Sequence, residues 1–127
     1  MERKAITTPN APAAIGPYNQ GIVASGQFLF GAGQIALEPA TGKIVGDTLQ
    51  EQTHQVLKNV RAVLHAAGAD LKNVVKTTVF LHDLNDFAAM NEIYAQYFEQ
   101  NPPARSAVGG LDLPKGAKIE IEYVAVI

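Results

Sequence analysis

The 127-residue sequence contains no cysteine. That absence removes disulfides, thiolate metal sites and cysteine nucleophiles together, and it fits a reducing compartment. Charge is sparse as well: Asp, Glu, Lys and Arg make up 17% of the residues, with a net charge of −2. The basic residues are scattered from Arg3 and Lys4 to Lys115 and Lys118. No window offers the Lys/Arg cluster that a nucleic acid or an anionic membrane needs. No apolar run approaches the ~18 residues of a membrane-spanning helix. No apolar h-region follows Met1-Glu2-Arg3-Lys4, so the expected location is cytoplasmic.

What is present is ordinary globular composition, 47% hydrophobic. There is no linker, low-complexity tract or repeat, so residues 1–127 are expected to form one domain. Residues 9–17, rich in Pro and Ala, predict an extended loop. Two apolar runs, Gly21–Ala24 and Phe28–Ala32, flank the turn signal Ser25-Gly26 and predict a hairpin. Thr48 and Glu51 have capping-box spacing, so each side chain can satisfy a free N–H at a helix start. Apolar residues then recur at Leu49, Val56, Leu57, Val60, Val63, Leu64 and Ala67, one face of a helix that Gly68 ends. Val74–Leu81, rich in β-branched residues, predicts a central strand.

A second helix is expected from Asn85 or Asp86, carrying Phe87, Met90, Ile93, Tyr94, Tyr97 and Phe98 on one face and stopping before Pro102-Pro103. Ala104–Val108 and Lys118–Val126 predict further strands. The order suggests an α+β fold of two layers, one sheet with two helices on one face. Odd-numbered residues of the last strand would cover the helices. The even-numbered face, Glu120, Glu122, Val124 and Val126, would then need a cover, and another copy of the chain is the natural one.

Several motifs invite a chemical reading. Gly31-Ala32-Gly33-Gln34-Ile35-Ala36 has a dinucleotide-binding pattern directly after a strand. A phosphate site needs a helix N-terminus immediately behind it, and Glu38-Pro39-Ala40-Thr41-Gly42 intervenes, so a dinucleotide fold is rejected. His54 and His65 lie three turns apart on one helix, too far to share an ion, and no metal site is expected with His82. No serine sits in a nucleophile-elbow context. Glu120 lies between two isoleucines in a β-prone stretch, where a carboxylate is partly desolvated and suited to a functional or a structural role. Arg105 enters a strand after the rigid approach of Pro102-Pro103-Ala104. Its planar fork matches a carboxylate in bidentate fashion; a salt bridge to Glu120 or Glu122 across the sheet is the structural alternative.

At these residues the sequence resembles a known family. Ala13-Ala14-Ile15-Gly16-Pro17-Tyr18-Asn19-Gln20-Gly21, Val75-Lys76-Thr77-Thr78-Val79-Phe80-Leu81, Asp83-Leu84-Asn85-Asp86-Phe87, Pro103-Ala104-Arg105-Ser106 and Lys118-Ile119-Glu120-Ile121-Glu122 together resemble the RidA/YjgF (reactive intermediate deaminase) family. Five motifs in order, from about residue 4 to the C-terminus, make the likeness specific. The resemblance implies a chorismate-mutase-like fold and a homotrimer with clefts between subunits. It implies hydrolysis of 2-iminobutanoate or 2-iminopropanoate to the 2-oxo acid and ammonia, without a cofactor.

Carried over by position, Arg105 would bind the substrate carboxylate and Glu120 would hold the attacking water. Tyr18 and Asn91 would shape the cleft, and backbone groups at Gly33 and Ala107 would contact the reacting centre. Many relatives carry Ser at the position of Ala32 and bacterial ones often Cys at that of Ala107, so thiol-based switching is excluded here. Two rival readings use other chemistry: a non-catalytic small-ligand-binding regulatory trimer, and an RNA-cleaving translation inhibitor, against which the acidic balance speaks.

Overall fold

The computed structural model describes residues 2–127. Six strands and two α-helices follow in the order β1 (Glu2–Ile6), β2 (Gly21–Ser25), β3 (Phe28–Gln34), α1 (Leu49–Ala66), β4 (Val74–Leu81), α2 (Phe87–Tyr97), β5 (Ala104–Val108) and β6 (Ile119–Val126). The main sheet has the order β3-β6-β4-β5. Its β3/β6 and β6/β4 pairs are antiparallel and its β4/β5 pair is parallel, so the sheet is mixed. A parallel pair needs a crossover, and α2 supplies it between β4 and β5. The fold is α+β, as expected.

Helix α1 starts where its cap dictates. Thr48 Oγ1 accepts from Glu51 N at 3.1 Å, and Glu51 Oε1 accepts from Thr48 N at 3.3 Å. The helix buries Leu49, Val56, Leu57, Val60 and Leu64, while Val63 is 39% exposed and falls off the expected face. Ile119, Ile121, Tyr123 and Ala125 of β6 meet the helices, with Val79 and Leu81 of β4 beside them. Fully burying one such aliphatic side chain contributes roughly 1.5–3 kcal/mol, so this layer holds the sheet against the helices.

The far face of the sheet is open. Phe28 and Phe30 of β3 are 59% and 78% exposed, and their rings lie 6.1 Å apart. Glu120, Glu122 and Val124 share that face and are partly or fully exposed. Val126 is the exception on its face. The turn at Gly26 folds against it, and Gln27 and Ile127 exchange backbone hydrogen bonds of 3.1 and 2.9 Å.

The expected hairpin is not formed. Ser25-Gly26 does turn the chain, but β2 pairs antiparallel with β1 while β3 pairs with β6, in separate sheets. Strand β1 lies in a stretch with no apolar alternation, and two short apolar runs carry no register information. Between Gly31 and Gln34, β3 advances three residues while β6 goes from Tyr123 to Ile121. This bulge at Ala32-Gly33 re-aims Gly33.

Candidate active site

The loop before β2 is tied down by its own amides. Gln20 Nε2 donates to Pro12 O at 2.6 Å and Thr8 O at 3.2 Å, and Gln20 Oε1 accepts from Thr8 N at 2.7 Å. Asn19 Nδ2 donates to Pro102 O at 2.7 Å, and Asn19 N to Pro103 O at 3.2 Å. These bonds fasten residues 17–19 beside the start of β5, which places Tyr18 against Arg105.

Arg105 is opposite Thr77 in β4, a buried residue that faces the helices, so its side chain leaves the sheet on the helix side. There α2 presents Phe87, Asn91 and Tyr94, spaced i, i+4 and i+7 on one face. The guanidinium carbon lies 4.8 Å from the Tyr94 ring centroid and 5.3 Å from those of Phe87 and Tyr18. Arg105 Nη1 donates to Asn91 Oδ1 at 2.7 Å. Burial lowers the arginine pKa from its ordinary value, and the group stays a cation at neutral pH.

The Tyr94 phenol is itself buried and shares a 2.8 Å hydrogen bond with Thr77 Oγ1. Desolvation pushes its pKa up to about 12, against the opposing pull of the Thr77 hydrogen bond and the Arg105 charge.

No ion pair joins Arg105 to a carboxylate among the described residues. The sequence alternative, a bridge to Glu120 or Glu122, is ruled out within one chain. β4 separates β5 from β6, and Glu120 lies opposite Phe80, Glu122 opposite Thr78. Those β4 positions point away from Thr77's face, so both glutamates leave the sheet on the side opposite Arg105. The result is a partly buried cation in an aromatic cage, facing a cleft of about 360 Å³ lined by Ile15, Gly16, Tyr18, Phe87, Ala88 and Asn91. Such a site suits a small anion with an apolar body.

The six expected site residues therefore fall into two groups. Tyr18, Asn91, Arg105 and Ala107 share the helix side, with Ala107 two residues beyond Arg105 on β5. Gly33 and Glu120 share the open face. The Glu120 carboxylate lies so close over Gly33 that a β-carbon there would overlap Oε2, so a larger residue at the bulge would displace the Glu120 side chain from its present position. The sequence places Phe87 and Tyr94 on the apolar face of the second helix and gives them no part in the site. The visible signal was Asn91, an amide on their otherwise apolar helix face.

The histidines are engaged separately. His54 Nδ1 pairs with Tyr97 OH at 2.7 Å, His65 Nε2 with Asp70 at 3.3 Å, and His82 Nδ1 with Leu111 O at 2.9 Å. Among the described residues no group of three or more His, Cys, Asp or Glu could hold a metal ion. No helix among them is long and apolar enough to cross a membrane.

Comparison with known proteins places this chain in a family. The family model described as Endoribonuclease L-PSP matches residues 8–127. A RutC family protein of Pyrococcus horikoshii is 54% identical over 123 residues, 97% of each chain. The 2-iminobutanoate/2-iminopropanoate deaminase of Homo sapiens is 49% identical over 124 residues, covering 98% of this chain and 90% of that protein. The crystal structure of E. coli TdcF with bound serine is 46% identical, covers 98% of both chains and superposes with a TM-score of 0.75. The chain belongs to the endoribonuclease L-PSP family, the RidA/YjgF family that its motifs resemble.

Proposed function

We propose that the protein is a 2-imino acid deaminase, converting 2-iminobutanoate and 2-iminopropanoate to 2-oxo acids and ammonia in clefts between the copies of a homotrimer. The observation that carries this reading is Arg105, a cation held between three aromatic rings and Asn91 with no carboxylate among the described residues to neutralise it. A substrate carboxylate would complete it. The human relative named for this deamination and the serine held by TdcF, an α-amino acid, agree with a ligand of that kind.

The chemistry needs little more. An imine carbon is already electrophilic, and holding it beside one placed water is a proximity effect of the kind that supplies much of a rate. Arg105 would fix the carboxylate and so the position of C2. Glu120 would take a proton from the water as oxygen bonds to C2 and pass it to the imine nitrogen. It would then take the proton of the resulting carbinolamine hydroxyl and pass it to nitrogen as the C–N bond breaks. Both water protons thus leave on ammonia, and the oxygen stays on the 2-oxo acid. Backbone groups at Gly33 and Ala107 would steady the reacting centre. Because Glu120 and Arg105 of one chain leave opposite faces of the sheet, the Glu120 of each cleft would come from a neighbouring copy. The exposed face with Phe28 and Phe30 supports that assembly, since a copy seated there would cover it.

The test generates the enamine in place with a threonine dehydratase and follows 2-oxobutanoate release. The protein is expected to accelerate release, and Arg105→Ala to abolish the acceleration. A folded wild-type assembly that binds 2-oxobutanoate without accelerating release would make the protein a ligand-binding module instead.

A further inference from the structure

Gly16 has no conformational reason to be glycine. Its φ lies outside the left-handed region. It precedes Pro17, where extended backbone is favoured and alanine adopts it freely. Crowding within the chain gives no reason either. A β-carbon at this position would lie 3.6 Å from Arg105 Nη2, 3.7 Å from Asn91 Nδ2 and 3.7 Å from Tyr18 Cε1, all ordinary contacts.

The walls of the space left open by this glycine are informative, because two of them are hydrogen-bond donors. Arg105 Nη1 is engaged by Asn91 Oδ1 at 2.7 Å, which leaves Arg105 Nη2 free for a ligand. The same bond fixes the amide: its oxygen must face the guanidinium, so its Nδ2 is the group turned toward Gly16. No hydrogen bond within the chain engages either nitrogen among the described residues. Two unused donors, one charged and one neutral, thus converge on the one spot where a side chain is missing.

We infer that Gly16 sets which ligands Arg105 can hold: the space of its missing side chain receives one carboxylate oxygen, which accepts from Arg105 Nη2 and Asn91 Nδ2 together. This rests on the reading of Arg105 as the carboxylate anchor. Gly16 is then a specificity-determining residue that touches the ligand only through the room it leaves. A methyl group there fits the free protein and obstructs the bound oxygen. Binding is lost while folding is not, a combination that a merely structural glycine would not give.

The experiment titrates 2-oxobutanoate, a stable probe, into the assembled wild-type, Gly16→Ala and Arg105→Ala proteins by calorimetry, with thermal unfolding and steady-state kinetics alongside. Gly16→Ala is expected to unfold at the wild-type temperature, to bind at least about tenfold more weakly, and to show a raised KM with kcat largely kept. Wild-type affinity in Gly16→Ala, with binding lost in Arg105→Ala, overturns the inference and leaves Arg105 as the anchor. A clearly lowered unfolding temperature in Gly16→Ala also overturns it, since the chain itself would then need the glycine. Equal affinity in wild type and Arg105→Ala overturns the anchor reading, and the inference with it.

Discussion

At the scale of the residue, the site depends on how three rings and an amide hold one guanidinium. Tyr94 supplies the nearest ring, and its hydroxyl is fixed by Thr77 at 2.8 Å. That arrangement has a pH signature. Burial raises the Tyr94 pKa from 10.0 to about 12, so the folded chain keeps a proton that the unfolded chain gives up above pH 10. The corresponding stability is complete below pH 10 and is lost as pH rises toward about 12. Urea unfolding across that window is expected to show a falling free energy, and Tyr94→Phe to show a shallower fall; equal slopes would mean that Tyr94 does not titrate with folding. The sequence made part of this scale legible. Arg105 stood out through its proline-set approach and family motif. Tyr94 and Phe87 did not, because aromatic residues at helical spacing look the same whether they line a core or a cation cage. Gly16 lay inside a recognised motif, yet its meaning depends on which atoms it faces, and no spacing rule reports that.

At the scale of the element, local signals succeeded where the physics is local. The Thr48–Glu51 box fixes the start of α1 through hydrogen bonds three residues apart, and both are made. Thr48→Ala is therefore expected to cost about 1 kcal/mol in denaturant unfolding. A cost near zero would show that the helix start is held by its packing instead. The strand pairing of β2 failed for the converse reason. Its partner is β1, fifteen residues upstream, counted from Ile6 to Gly21, across a loop whose closure rests on the Gln20 side chain. Nothing in Glu-Arg-Lys-Ala-Ile announces a strand. The alternation of β6 was legible, and with it the odd residues toward the helices and the even ones away. That one parity decides the largest structural fact about the site, that Glu120 and Arg105 cannot meet within a chain.

At the scale of the whole molecule, a sheet with helices on one face and two exposed phenylalanines on the other has an uncovered side. The order of elements foreshadowed it, since it offers two helices for one face and leaves the even-numbered residues of the last strand without a cover. The proposed homotrimer would cover that side and bring the two separated halves of the site together, and sedimentation is expected to give about three times the chain mass of 13.5 kDa. The central claim is that one reaction centre takes Arg105 from one copy and Glu120 from another. The measurement that tests it most directly mixes two inactive variants, Arg105→Ala and Glu120→Ala, unfolds them and refolds them together. Random assortment gives roughly a quarter of the clefts both native groups, so about that fraction of wild-type imine hydrolysis should return. If mixed assemblies form and no activity returns, Arg105 and Glu120 do not act across copies, and the account of the site is wrong.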